Sequence, residues 1–159
     1  MTRKIRRIFY LIPAFFLLFL PAAQATTMQT ATGTFTTTAT IINVQVVNGN
    51  TIITQSLTIN ALGDLFGTLS GTDVAVITPT GSGFIAGIGT FTGTILGRTG
   101  TVGIGFAGTF NPTTGQLNIR AAFLTGTGTG QLTGIRGTGT IQGIFNVGGT
   151  YTFNITFHS

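Results

Sequence analysis

The segment Thr101-Val-Gly-Ile-Gly-Phe-Ala-Gly-Thr-Phe110-Asn-Pro-Thr-Thr-Gly115-Gln-Leu-Asn-Ile-Arg-Ala-Ala-Phe123 carries the clearest folding signal in the chain. Val102, Ile104, Phe106 and Phe110 fall on one face of an extended backbone, with Thr101, Gly103, Gly105 and Thr109 on the other. After Asn111 to Gly115 the alternation resumes, with Leu117, Ile119, Ala121 and Phe123 set against Gln116, Asn118 and Arg120. A period of two is that of a strand with one buried face. The Asn, Pro and Gly cluster between the two halves supplies the backbone freedom and local hydrogen bonding of a turn.

The same pattern extends outward in both directions. Ile141, Gly143, Phe145 and Val147 form one apolar face, and Tyr151, Phe153, Ile155 and Phe157 form another opposite Thr150, Thr152, Asn154 and Thr156. Asn48-Gly49-Asn50 is the sharpest hairpin signal, since Asn and Gly accept positive φ. Further turns fall near Leu62-Gly63, Thr78 to Gly83, Gly97 to Gly100, Thr127 to Gly134 and Gly148-Gly149. They predict about eight strands, over 30–47 (with a break near Thr40), 51–60, 65–77, 84–95, 101–110, 116–126, 138–147 and 150–158. Consecutive antiparallel strands in this number close into a barrel or split into a sandwich. A barrel is expected, because closure removes the edges that so weakly charged a sheet would leave open to aggregation.

Composition agrees. The 134 residues from Thr26 to Ser159 contain 33 Thr, 25 Gly and ten Phe, with no Trp, Glu, Lys or Cys. Gly recurs too often for a long helix, and Thr, a β-branched strand former, supplies the wet face that charged residues usually supply. The first 25 residues are different. Arg3, Lys4, Arg6 and Arg7 precede the apolar run Ile8 to Leu20, which is followed by Pro21 and Ala23-Gln24-Ala25. This is the order of a cleavable signal peptide with its cut after Ala25. The apolar run is too short for the roughly 20 residues of a spanning helix. The expected organisation is therefore a leader over 1–25 and one domain over 26–159, exported by the general secretory route to the periplasm or beyond, with no stable membrane span after cleavage.

The leader also accounts for the pI of 11.4. Beyond it Arg98, Arg120 and Arg136 stand against Asp64 and Asp73, a formal balance of +1. Three scattered arginines form no phosphate-binding cluster, so nucleic acid is not an expected partner. His158 is the sole His and no Cys is present, which excludes a zinc site and leaves no evident cofactor.

Two segments carry more than composition. One is Phe91-Thr-Gly-Thr-Ile-Leu-Gly97-Arg98-Thr-Gly100-Thr101, followed by Phe106-Ala-Gly108-Thr-Phe110. The other is Gly128-Thr-Gly130-Gln-Leu132-Thr-Gly134-Ile-Arg136-Gly137. Together they resemble a bacterial family known as a domain of unknown function, number 3224, and more remotely the allene oxide cyclases and dirigent proteins. The resemblance implies an eight-stranded antiparallel barrel. For activity it implies an acidic residue with bound water in an apolar lumen, or Asp, Tyr and Arg arranged around a radical. No catalytic residue of those families maps onto this chain, which has no Glu.

The candidate site residues follow from what titrates or orients. Asp64 and Asp73 bracket one expected strand, where the plain reading is a turn carboxylate bonded to local amides. His158, next to last, is expected to fray. Arg98 reads as a solvated turn charge, and Arg136 as a fork tying down carbonyls where strands diverge. Asn118 and Arg120 share one strand face with Gln116. If that face pointed inward they would form a polar spot for an anionic or hydroxylated ligand. Asn118, Arg120, Tyr151 and Asp73 are thus the lumen candidates. The leading expectation is a non-enzymatic exported barrel that binds a small apolar or hydroxylated molecule or serves structurally, with oligomerisation left open. A lumen isomerase or cyclase, a small outer-membrane barrel and a Thr-array surface are the alternatives.

Overall fold

The structure, a computed structural model, describes residues 27–158; the expected leader and its expected cleavage position at Ala25 lie outside them. Eight strands form the domain: β1 (Gln29–Val47), β2 (Asn50–Gly63), β3 (Leu65–Ile77), β4 (Gly83–Ile95), β5 (Arg98–Phe110), β6 (Gln116–Phe123), β7 (Ile135–Ile144) and β8 (Gly148–Phe157). Each pairs antiparallel with the next and β8 pairs back onto β1, so the sheet is a closed barrel. The expected strands are all present. β6 stops at Phe123 instead of 126, and β7 begins at Ile135 instead of 138. The β1–β2 turn forms as its residues predict, with Asn48 and Gly49 at φ 52° and 80°.

The alternating apolar residues face the lumen. One buried cluster fills its lower part, where Leu65, Phe91, Ile95, Val102, Leu132, Ile135 and Ile155 meet. Ala75, Ile85, Leu117 and Ile119 form the upper part beneath the half-buried Phe110 and Phe145. A small barrel has no room for a large side chain at every inward position, and glycines make the difference. A Cβ at Gly87 would collide with the Phe106 ring, and one at Gly139 with the Phe153 ring. The Gly-rich strands are thus the complement of the lumen's aromatic residues.

Closure also dictates one overhang. From Ala31 the paired row runs through Phe153, Gly139, Ala121, Phe106, Gly87, Asp73 and Gln55, and returns to β1 at Ile41, ten residues further along. This stagger leaves the far half of β1 paired with β2 alone, and a bulge between Ile41 and Asn43 bends it. The Asn146 side chain, in the β7–β8 turn, takes the Ala39 amide at 2.7 Å where β8 has run out. Beyond this point Ile41, Val44 and Val46 are exposed.

The lower end is closed differently. Residues 124–134 run along β5 past the end of β6 and continue its hydrogen bonding with side chains. The Leu124 amide donates to the Gly103 carbonyl, the Gly103 amide to Thr127 Oγ1, and the Thr101 amide to Thr129 Oγ1, at 2.8, 2.9 and 3.1 Å. A single 3-10 turn, Gly130–Leu132, then drops Leu132 into the core, fully buried.

Candidate functional site

Strand alternation places Asp73 on the inward face of β3, four residues before its end, with Leu69 and Ala75 on the same face. Its neighbours in register are Gln55 on β2 and Gly87 on β4. Asp73 is only 2% exposed and Gln55 only 3%. Gln55 Nε2 donates to Asp73 Oδ1 at 2.9 Å. Asp73 Oδ2 is buried with no hydrogen-bond partner.

Asp73 sits in the wall of a lumen cavity of about 70 Å³. Its lining is otherwise apolar apart from Thr37, and includes Leu57, Ile85, Phe106, Phe145 and Tyr151. Burial among these side chains disfavours the charged carboxylate and raises the Asp73 pKa from its ordinary 3.8, while the Gln55 hydrogen bond works in the opposite direction and loses. Arg98, Arg120 and Arg136 are all exposed, so none lies in the lumen to offset the charge.

A raised carboxyl pKa has a definite sign for stability. Between pH 3.8 and the folded-state value the unfolded chain releases a proton that the folded chain keeps, so stability falls as pH rises through that window. Asp73→Asn removes this dependence. Its thermal midpoint should match the parent's near pH 3.5 and exceed it increasingly toward neutral pH; a constant difference across the range would contradict the assignment.

Tyr151 also lies in the lumen wall, but its hydroxyl is fully committed. Oη accepts the Leu65 amide at 2.8 Å and its proton is directed to the carbonyls of Leu62 and Leu65, each at 3.1 Å. Burial again raises its pKa. The ring lines the cavity and the hydroxyl pins the β2–β3 corner. Tyr151→Phe would leave the buried Leu65 amide without its partner, a loss of about 1–3 kcal/mol in stability by chemical denaturation.

The family model described as "Protein of unknown function (DUF3224)" matches residues 31–155. The chain belongs to the DUF3224 family. The crystal structure of a DUF3224 protein of unknown function from Shewanella oneidensis superposes with a TM-score of 0.71 at 26% identity, over 84% of this chain and 99% of that one. No curated protein matches the chain. The remoter likeness to allene oxide cyclases finds no support among these matches.

Within this DUF3224 barrel the motif 128–137 is architectural. A Cβ at Gly128 would strike the Leu132 carbonyl, and one at Gly134 the carbonyl of His158. Gly130 supplies the positive φ, 57°, that starts the 3-10 turn. Gly137 lies in β7 opposite Ile155, beside Arg136 opposite Thr156. Arg136, expected to tie down carbonyls, instead stands exposed on the outer wall.

Two lumen candidates are corrected. Asn118 and Arg120 project from the outer wall, because Leu117, Ile119 and Ala121 take the inward positions of β6. Asp73, named both as a turn carboxylate and as a lumen candidate, lies inside β3 and in the lumen. Asp64 stands exposed at the β2–β3 turn as expected, but its Oδ2 accepts no local amide: it takes that of Thr32 on β1 at 2.8 Å. Arg98 is not simply solvated, since its guanidinium stacks 3.9 Å above the Phe157 ring. Nor is His158 frayed at the backbone, because its amide donates to the Gly134 carbonyl at 3.0 Å. Val147, expected on an inward face, is exposed in the turn after β7.

Gln55 and Thr37 are the lumen residues that sequence reading missed. Both stand at inward positions of otherwise apolar alternations, Ile53-x-Gln55-x-Leu57 and Phe35-x-Thr37-x-Ala39. A polar residue in an apolar register was the available signal.

Proposed function

We propose that this protein is an exported barrel that holds a small, largely apolar molecule in its lumen, with Asp73 as the polar contact. The observation that carries the reading is the Asp73 carboxyl oxygen left without a partner in the wall of an apolar cavity. Buried polar atoms in folded proteins are almost always paired, and a lone one calls for a reason such as a ligand. Size narrows the class. About 70 Å³ is far below the roughly 300–1,000 Å³ of pockets for drug-sized molecules. The occupant has a few heavy atoms, or inserts only one end past Phe145.

Two alternatives lose ground on the same geometry. A membrane barrel needs an apolar outer band around a polar interior, whereas here the core clusters fill the interior and the outer wall is rich in Thr. A lumen isomerase would need a second proton-transfer group near Asp73, and the Tyr151 hydroxyl is held by the backbone at 62–65.

Xenon, which enters dry apolar cavities, tests the reading. Crystals pressurised with xenon should show it beside Leu57 and Ile85, and Leu57→Phe, which fills that space, should exclude it. An empty lumen in the parent protein would sink the proposal.

A further inference from the structure

Resting on that reading, we infer that the lumen site is built for a hydrogen-bond acceptor, the carbonyl oxygen of a neutral molecule, and not for a cation. Three features of the geometry carry this. Gln55 donates to Oδ1, so that oxygen acts as the acceptor of the carboxyl group and the proton belongs on Oδ2. Oδ2 is the atom without a partner. The walls around it are Leu, Ile and Phe side chains, in which an uncompensated carboxylate would cost several kcal/mol.

Every group that titrates or carries charge supports a neutral site. Facing Asp73 across the paired strands are Gln55 and Gly87, and the next residue along the row is Phe106. The three arginines, Asp64 and His158 are exposed, and the Tyr151 hydroxyl is bound at the β2–β3 corner. The raised pKa of Asp73 agrees with this arrangement. An O–H buried in apolar surroundings, without a partner, on a residue that lines the cavity complements a ketone, aldehyde, ester or amide oxygen. The body attached to that oxygen meets hydrocarbon apart from Thr37.

The test uses probes small enough for the cavity: acetone and its hydrocarbon isostere isobutene, titrated near pH 3.5, below the ordinary carboxyl value that burial raises, and isopropylammonium, titrated at pH 7, each followed by NMR. Asp73→Val should weaken acetone binding about tenfold, the worth of one buried hydrogen bond, while isobutene binds no more weakly. Asp73→Asn, whose amide can still donate, should keep acetone within a few-fold of the parent. The carbonyl stretch of bound acetone should shift to lower frequency in the parent and not in Asp73→Val. Acetone and isobutene losing equally in Asp73→Val would overturn the inference and leave the lumen reading standing. So would tight isopropylammonium binding that Asp73→Asn abolishes, since that marks an ionised carboxylate. If neither acetone nor isobutene enters the parent protein, the lumen reading falls and the inference with it.

Discussion

Replacing Leu132 by Ala should lower stability by about 2–5 kcal/mol, the range for a fully buried Leu whose site cannot collapse. Leu132 has no exposed surface and packs with Ile95, Val102, Ile135 and Ile155 at the lower end of the barrel. The turn carrying it is anchored by the Thr101 and Thr129 pairing and by Gln131 Oε1, which accepts the Thr99 amide at 2.9 Å. Those anchors keep the backbone from following the lost side chain, which places the effect toward the upper part of the range. Domains of this kind have a total stability of about 5–15 kcal/mol, so the loss is a large share of it and the thermal midpoint should drop by roughly 10–20 °C. A change within about 0.5 kcal/mol would mean that the turn does not close the barrel.

The second large effect is expected at Gly134, where Gly134→Val should lose about 3 kcal/mol. Its φ of 75° lies in the left-handed region, which a β-branched residue avoids. A side chain there would also run into the His158 carbonyl, while the Gly134 carbonyl itself accepts the His158 amide. The substitution therefore strains the turn and frees the end of the chain together. Gly97→Val serves as the control: its φ of 80° carries the same backbone strain, but a Cβ there meets nothing. Gly134→Val should be clearly the more damaging in denaturant unfolding, and equal losses would show that the contact with the chain end contributes nothing.

These two residues show what the sequence could and could not reveal. Alternation in 101–123 and 150–158 gave the strands and their inward faces, because burial on one side of a sheet imposes a period of two. The motif 128–137 was visible as a pattern, yet its task was not. With Leu124 and Thr127 it continues the missing length of β6 along β5 through backbone and threonine hydrogen bonds, and no local rule predicts that. For the site, alternation already implied that Asn118 and Arg120 point outward, since Leu117, Ile119 and Ala121 claim the lumen. Asp73 was harder to place. It falls inside the expected strand 65–77, but a lone carboxylate there has a turn reading as well as an inward one, and the register of β3 against β2 and β4 decides between them. Its partner Gln55 lies 18 residues away, a contact that pairing across strands creates and sequence proximity does not.

The measurement that bears most directly on the lumen as a binding site is methyl NMR of the protein titrated with acetone. If the lumen binds a small molecule, the methyl signals of Leu57, Leu69, Ile85 and Leu117, which line the cavity, shift together and saturate. Those of Val74 and Ile88, exposed on the outer wall, should stay in place. Shifts confined to the outer wall, or no saturable shift in the lumen, would contradict binding there.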